Sequence, residues 1–255
     1  LPLLTLGLIY LIQPPASIGL GMMLLAVCPG GSVSNFMVHL SKGNTALSVM
    51  LTSITTLGAI IITPLAFGLW ITLVPKTEAL DAAIQVDPER MIKAVIQLIL
   101  VPISLGMFVN YRFPITTARV QRWIKLSSML IFLGFVLFAV LANVKNMYSY
   151  LHLVFYIVLI HNGLSLILGY WFARLNGLPE YDARAISIET GIQNSGLGLL
   201  LVFNFFNGIG GMALILAWWG VWHLISGYCL SLYWGWRSSN VAAGKLETER
   251  VRPEN

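Results

Sequence analysis

Charged residues are scarce in this chain of 255 residues: Asp, Glu, Lys and Arg make up 10% of it, against about a quarter in a soluble domain. They are also clustered, because the segments 46–72, 127–143 and 196–235 contain none. Hydrophobic residues make up 57%, and the mean hydropathy is +0.81. Uncharged apolar runs of this length are typical of membrane-spanning helices. The sequence therefore predicts an all-α protein that crosses the membrane several times.

Cysteine and enzyme motifs are scarce as well. The two cysteines, Cys28 and Cys229, lie in apolar stretches without CxxC or zinc-like spacing, which argues against a disulfide framework or a zinc site. The sequence has no HExxH or GxSxG motif and no clustered acid–base residues, so we expect neither an enzyme nor an organic cofactor. The formal charge of +5 reflects membrane topology and does not indicate a nucleic-acid partner.

The hydrophobic pattern predicts eight crossings, at approximately 1–13, 16–40, 44–71, 89–110, 118–142, 149–173, 180–206 and 211–236. We expect an extracytoplasmic loop over 72–88 and a cytoplasmic tail over 237–255. Within the loop, Pro75–Asp87 forms either a short surface helix or, as we prefer, a solvated loop. The first apolar run lacks an initiator methionine and is too short to span, so we expect the remainder of a longer helix without a signal peptide.

The positions of Lys and Arg predict the orientation. With eight crossings, eleven of the fifteen basic residues lie on the same side as the C-terminus. Basic residues are enriched in the cytoplasmic segments of membrane proteins. The C-terminus is therefore expected in the cytoplasm.

The second predicted crossing contains a sequence that interrupts a helix, CPGGSVSN over 28–35. Pro29 removes a backbone donor, and Gly30 and Gly31 relax the chain further. Unwound backbone in a membrane is tolerated only where protein or a water-filled cavity satisfies its polar groups. A structural kink is the alternative interpretation.

The seventh predicted crossing contains a second interruption, ETGIQNSG over 189–196, in which Gly191 relaxes the helix. Glu189 is the one acidic residue of ten that lies deep in a hydrophobic span. A charge at the bilayer centre costs about 3 kcal/mol or more, and no predicted crossing offers a Lys or Arg near mid-depth. The carboxylate is either protonated and structural or, as we prefer, holds a cation. Neutral oxygens that could join it belong to Ser34, Asn35, Ser48, Thr52, Ser53 and Gln193.

Two discontinuous helices would bring ion-binding and anion-binding groups together. Carbonyl groups at the end of a first half-helix coordinate cations, and N–H groups at the start of the second half attract anions. Ser48 and Thr52 are four residues apart and share a helix face, which could turn toward Glu189. Each interruption lies in the penultimate crossing of its half of the chain, which favours an inverted repeat of 1–71 and 89–236.

The segments 28–35 and 189–196, together with GNTALSV over 43–49 followed by Thr52-Ser53, closely resemble the bile acid:sodium symporter family. The resemblance extends through nearly the whole chain, and both motifs are specific. It implies a ten-helix fold of two inverted five-helix repeats, divided into a core and a panel domain, with the fourth and ninth helices broken. This chain would then be an N-terminally truncated member that lacks the first two helices and part of the third.

The resemblance also implies two sodium sites. The first would use Ser34, Asn35, Ser48, Thr52 and Glu189. The second would use Glu189, Gln193 and the backbone carbonyls of Thr190 and Ile192. The family's second site takes a further glutamine from the third helix, whose position would precede Leu1, so this site is expected to be incomplete here.

The substrate would lie beside the crossing of the broken helices, near Ser32, Asn194 and Ser195. His223 matches a pocket position in some family members, and a core histidine bonded to a neighbouring helix is an equal alternative. The pair His161-Asn162 has no role in the resemblance and predicts hydrogen bonds between helices.

The resemblance implies sodium-coupled symport of an organic anion by alternating access. The anion would be bile acid-like, pantoate-like or another carboxylate or sulfonate. Proton coupling through Glu189 and a non-transporting membrane sensor or channel are the alternatives. We expect a monomer, with Na⁺ as coupling ion, in a bacterial inner membrane rather than a plastid envelope.

Overall fold

The computed structural model describes residues 1–75, 88–142 and 144–250. In this part of the chain regular structure is helical, apart from one isolated β-bridge. The helices are α1 (Pro2–Ile12), α2 (Ala16–Val27), α3 (Val33–Leu40), α4 (Thr45–Trp70), a 3₁₀ turn (Ile71–Leu73), α5 (Pro88–Val95), a π-helical turn (Ile96–Leu100), α6 (Val101–Arg112), α7 (Pro114–Ala142), α8 (Val144–Leu175), α9 (Glu180–Gly191), α10 (Ser195–Phe205) and α11 (Gly210–Arg250).

Local sequence accounts for several helix ends. Helix α1 ends at Gln13, which takes the left-handed conformation with a φ of 50°. Helix α4 begins after Asn44, whose side chain accepts the N–H of Leu47 at 3.1 Å and so caps the helix. Pro15 and Pro179 directly precede α2 and α9 and cannot extend a helix backwards.

Both broken helices are interrupted where the sequence predicts it. Helix α2 stops before Cys28, which is extended because the residue before a proline is pushed out of the helical region. The chain becomes helical again at the start of α3. Helices α9 and α10 are separated by residues 192–194. Each interruption leaves carbonyl groups at the end of one half-helix and N–H groups at the start of the next.

Helix α2 lies at the centre of the bundle, and every residue from Ile18 to Val27 is buried. A helix that is apolar all round is stable only when it is surrounded by other apolar groups. It packs against α1, α4 and α11, while α9 packs against α8, α3 and α4. Each broken helix thus contacts a long helix from the other half of the chain. Helix α6 has no buried residue, and its exposed apolar side chains suit contact with lipid.

Four of the described helical spans are long and apolar enough to cross a membrane: Thr45–Leu73, Glu89–Arg112, His152–Leu175 and Gly210–Ser238. Of three shorter apolar helices, α1 and α2 precede the first of these spans, and α10 lies between the last two. The protein is therefore an all-α integral membrane protein. The eight crossings and the division into two repeats stay predictions.

The predicted loop over 72–88 and the predicted tail over 237–255 are only partly described by the structure. Residues 76–87 lie outside the described residues. They make up nearly all of Pro75–Asp87, for which the sequence allows a solvated loop or a short surface helix. The predicted tail begins inside α11, which continues as a helix from the membrane span to Arg250.

Candidate cation site at the crossing of two interrupted helices

The two interruptions meet and bond to each other through their backbones. The N–H of Gly31 donates to the carbonyl of Ile192 at 2.9 Å, and the N–H of Asn194 donates to the carbonyl of Pro29 at 2.8 Å. These antiparallel contacts satisfy peptide groups that no longer belong to a helix. The exchange explains how two stretches of unwound backbone are stable inside a membrane protein.

Glu189, in the last turn of α9, reaches the first half of the chain. Its Oε1 accepts hydrogen bonds from the hydroxyls of Ser34, of Ser48 at 2.6 Å and of Thr52 at 2.8 Å. Ser48 and Thr52 lie one turn apart on α4, so their hydroxyls point to the same side of that helix. Only 9% of the Glu189 surface is exposed. The carboxylate is thus held by α3 and α4 together.

The oxygen atoms around Glu189 outnumber the protons that could join them. Asn35 Oδ1 also lies within hydrogen-bonding distance of the hydroxyls of Ser48, at 2.8 Å, and Thr52, at 3.2 Å. Thr52 lies 2.9 Å from the Ser48 carbonyl as well. Each hydroxyl has one proton, so it can donate to only one of these acceptors at a time. Oxygen atoms gathered in this way can coordinate a hard cation, and such a cation would reduce the repulsion between their lone pairs.

The charges at the site are unbalanced. The groups that donate to Glu189 are neutral hydroxyls. Among the described residues no Lys or Arg forms an ion pair with this carboxylate. An ionised carboxylate in a low-dielectric interior is costly without a counter-charge. The arrangement therefore favours either a bound cation or a proton on Glu189.

A second group of oxygens lies just after Glu189 in the chain. The side-chain amide of Gln193 donates to the Thr190 carbonyl at 3.0 Å. Its Oε1 is buried and, among the described residues, has no hydrogen-bond partner. The Ile192 carbonyl accepts one bond from Gly31 and keeps a second lone pair. A buried acceptor without a donor is unfavourable, so Gln193 Oε1 is free to bind a cation.

A cavity of about 490 Å³ opens beside these groups. Its polar wall comes from the two interruptions: Pro29, Gly30, Glu189, Thr190 and Gln193. The rest of the lining comes mainly from α2, α4, α8 and α9: Val27, Cys28, Leu47, Leu51, Thr55, Ala59, Ile62, Thr63, Phe172 and Ile186. This volume is in the range of small-molecule pockets, which are mostly apolar with few polar groups.

The four predicted substrate residues are not among the described residues that line this cavity: Ser32, Asn194, Ser195 and His223. The Asn194 side chain instead accepts the N–H of Leu197 at 3.0 Å and caps α10. Ser195 and His223 are buried, and Ser32 is exposed at the start of α3. His223 Nδ1 has no partner in the described part of the chain. Their role in binding a substrate therefore stays a prediction.

The predicted interhelical bonds of His161 and Asn162 are confirmed. His161 Nε2 lies 2.9 Å from Thr5 Oγ1, which joins α8 to α1. Asn162 donates to the Gly191 carbonyl at 2.8 Å and accepts from Ser226 at 2.6 Å. Gly191 also packs closely on α8, since a Cβ there would overlap the Leu166 side chain. This glycine is required for close helix contact as well as for the break.

Arg184 has a structural role that the sequence analysis missed. There it is only one of the eleven basic residues that predict the cytoplasmic side. The structure buries its guanidinium, which donates to the Ser41 carbonyl and to Ser238 Oγ, both at 2.7 Å, and pairs with Glu180 at 3.2 Å. Arg184 thus joins α9 to the end of α3 and to α11. The spacing of Glu180 and Arg184, one helical turn, was the signal available in the sequence.

These features define a membrane protein in which two interrupted helices cross at a buried carboxylate, as in secondary transporters. A model of the Sodium Bile acid symporter family matches residues 1–150. A protein of Bacillus subtilis (strain 168), named "Uncharacterized sodium-dependent transporter YocS", is 35% identical over 244 residues, which are 96% of this chain and 73% of that protein. The chain therefore belongs to the sodium bile acid symporter family.

Plant and animal proteins are similar to this chain as well. The probable sodium/metabolite cotransporter BASS3 of Arabidopsis thaliana, a chloroplastic protein, is 32% identical over 87% of this chain and 49% of its own length. The human ileal sodium/bile acid cotransporter is 30% identical over 69% of this chain and 49% of its own length. The match with these two relatives thus spans about half of their length.

Proposed function

We propose that this protein carries a small organic anion across the membrane together with sodium ions. The observation that carries the proposal is the buried Glu189 carboxylate, which lies among neutral oxygen ligands at the crossing of two interrupted helices. The names of the relatives describe sodium-dependent transport and sodium/metabolite cotransport, which supports sodium as the coupling ion. A plasma membrane is the proposed location, by analogy with the bacterial relative.

Two sets of residues would bind the sodium ions. The first is the set whose oxygens gather around the Glu189 carboxylate: Ser34, Asn35, Ser48, Thr52 and Glu189. The second follows it in the chain and contains the Gln193 oxygen that has no hydrogen-bond partner in the described part of the chain: Glu189, Thr190, Ile192 and Gln193. Since Glu189 belongs to both, a sodium ion in either set would supply the counter-charge that the buried carboxylate needs.

The anion would bind beside the same crossing. Helices α3 and α10 begin there, and helix N-termini attract negative charge through their free N–H groups and dipoles. Ser32, Asn194 and Ser195 lie at these two starts, and we propose them with His223 as substrate residues. The apolar part of the cavity would accept a hydrocarbon portion of the same molecule.

Alternating access would follow from the sharing of Glu189 between the two halves of the chain. With two sodium ions and a monovalent anion bound, the site that α3, α4 and the carboxylate form would be neutral, so it could move through the membrane without an exposed charge. A site that held the anion without sodium would have a charge of −2, which disfavours that movement, whereas the empty site returns with the single charge of Glu189. Coupling then means that anion and sodium cross together.

Replacing sodium tests the coupling ion. In purified protein, sodium chloride is expected to raise the melting temperature progressively as its concentration exceeds the dissociation constant, and choline chloride at the same pH and ionic strength is not. Uptake into vesicles is expected to require sodium and to proceed against the anion gradient. If uptake follows a proton gradient in choline, Glu189 titrates and the protein is proton-coupled. If neither a sodium gradient nor a proton gradient drives accumulation, the sensor or channel alternative is correct.

Membrane potential tests the number of sodium ions. Two sodium ions, a monovalent anion and the Glu189 carboxylate sum to zero, whereas the empty site has a charge of −1, so one positive charge would enter per cycle. Each elementary charge gains about 2.3 kcal/mol per 100 mV, which corresponds to about 50-fold more accumulation. Radiolabelled uptake at clamped potassium potentials measures this ratio. Accumulation that does not change with potential contradicts the two-sodium stoichiometry.

A further inference from the structure

The first halves of the two broken helices end in a similar way. Val27 is the last residue of α2, and its carbonyl accepts a hydrogen bond from Thr63 Oγ1 at 2.7 Å. Gly191 is the last residue of α9, and its carbonyl accepts one from Asn162 Nδ2 at 2.8 Å. Both donors come from long neighbouring helices and are 0% exposed. A terminal carbonyl that a helix cannot satisfy is thus satisfied by a buried side chain in each case.

The Asn162 side chain is itself held in place. Its Oδ1 accepts the Ser226 hydroxyl at 2.6 Å, which directs its amide group toward Gly191. The result is a chain of two hydrogen bonds that runs from α11 through α8 to the break in α9. Hydrogen bonds of this kind are well satisfied at both ends and are costly to remove in a buried site.

The position of Gly191 gives this chain of bonds its importance. Gly191 lies two residues after Glu189 and between Thr190 and Ile192, whose carbonyls belong to the second proposed sodium set. Glycine allows its peptide planes to rotate more freely than any other residue. The bond from Asn162 restrains that rotation, so the neighbouring carbonyls and the end of α9 that carries Glu189 keep their directions.

We propose that Asn162, held by Ser226, is a positioning residue that sets the sodium affinity of the crossing without touching the ion. The inference rests on the proposed function, because it assumes that the groups around Glu189 bind sodium. Partners that orient the direct ligands of a metal ion commonly change its affinity by about 10- to 100-fold when they are removed. Thr63 would serve the first interruption in the same way.

The test measures the sodium concentration at which half of the protein holds sodium, taken as the dissociation constant from the dependence of the melting temperature on sodium concentration. Asn162→Leu keeps the branching of the side chain at Cγ and removes both hydrogen bonds, and it is expected to raise this concentration about tenfold or more. Ser226→Ala removes the supporting bond and a longer contact, at 3.3 Å, with the His223 carbonyl of the same helix, and we expect a rise of about threefold. At sodium concentrations well above the raised value the melting temperature should still rise with sodium, since the direct ligands are unchanged.

Ser187→Ala is the matched control. Ser187 is buried and donates to the Leu166 carbonyl at 2.7 Å, so it joins the same two helices without touching the break. It is expected to lower the sodium-free melting temperature and to leave the half-saturating sodium concentration unchanged. Should Asn162→Leu fail to fold, Ser226→Ala decides the question.

The outcomes separate this inference from the proposed function. If Asn162→Leu or, failing it, Ser226→Ala binds sodium as the unaltered protein does, the positioning role is wrong. If Ser187→Ala weakens sodium binding equally, the effect is general helix packing and the inference is also wrong. The proposed function fails separately in two cases. Either the unaltered protein shows no sodium response, or Glu189→Gln keeps the full sodium response.

Discussion

The variant Glu189→Gln is expected to lose sodium-dependent stabilisation and sodium-driven uptake, with a fall in sodium affinity of at least about 100-fold. Glutamine has the size of glutamate but no charge, and charge-assisted contacts are about twice as strong as neutral ones. The hydroxyls of Ser34, Ser48 and Thr52 can still bond to the amide oxygen. The remaining neutral oxygens would have to hold the cation in a low-dielectric interior without a counter-charge.

The same variant should have the opposite effect when sodium is absent. An ionised carboxylate buried among neutral groups is unfavourable, and its removal relieves that cost. We therefore expect Glu189→Gln to melt at the same or a higher temperature than the unaltered protein in choline. A simple loss of packing would lower the melting temperature in both salts, so the change of sign identifies an electrostatic role.

Glu89→Gln is the matched control for this experiment. Glu89 lies in the first turn of α5, exposed, and pairs with Lys93 at 2.6 Å. Exposed ion pairs contribute little to stability, and this one is not part of the crossing. Its sodium response should be unchanged. Sodium-driven uptake that survives in Glu189→Gln at the unaltered rate would refute the site.

The variant Gly30→Ala is expected to weaken sodium binding about tenfold or more. A Cβ at this position would lie 2.7 Å from Glu189 Oε2, closer than carbon and oxygen atoms approach. The carboxylate has little freedom to turn away, because three hydroxyls hold its Oε1. The methyl group would therefore displace the carboxylate from the position in which both proposed sodium sets share it.

Gly7→Ala provides the comparison for Gly30→Ala. Gly7 lies in α1, and a Cβ there would meet no atom within 4 Å. Alanine in a helix is about 1 kcal/mol more favourable than glycine, so this variant should be as stable as the unaltered protein or more so. Sodium titrations of the melting temperature compare the two. An unchanged half-saturation in Gly30→Ala would mean that the carboxylate does not act where the structure places it.

Much of the local structure could be predicted from the sequence. The predicted crossings at 16–40 and 180–206 correspond to the paired half-helices α2–α3 and α9–α10. Pro29, with the extended residue before it, is enough to end a helix, because its ring fixes one backbone angle and its nitrogen cannot donate. Glu189 was identifiable because an acid within an apolar span is costly and therefore rare.

The cavity wall and the buried contacts of Arg184 could not be predicted in this way. Arg184 contributes to the same charge count as any exposed basic residue, and only its neighbours make it structural. Phe172 and Leu51 line the cavity because α8 and α4 both pack against α9. Apolar side chains that face a cavity and those that face lipid have the same composition in a membrane protein, so hydropathy does not distinguish them.

The sequence alone determined what depends on neighbours along the chain: the all-α membrane class, the helix ends, the two interruptions and the unusual carboxylate. The tertiary structure decided which groups meet. Ser34 and Glu189 are 155 residues apart, and Asn162 reaches the break in α9 from a different helix. Side-chain patterns show which face of a helix is polar, but its partner depends on how all the helices pack together, and that packing joins the carboxylate to its oxygens.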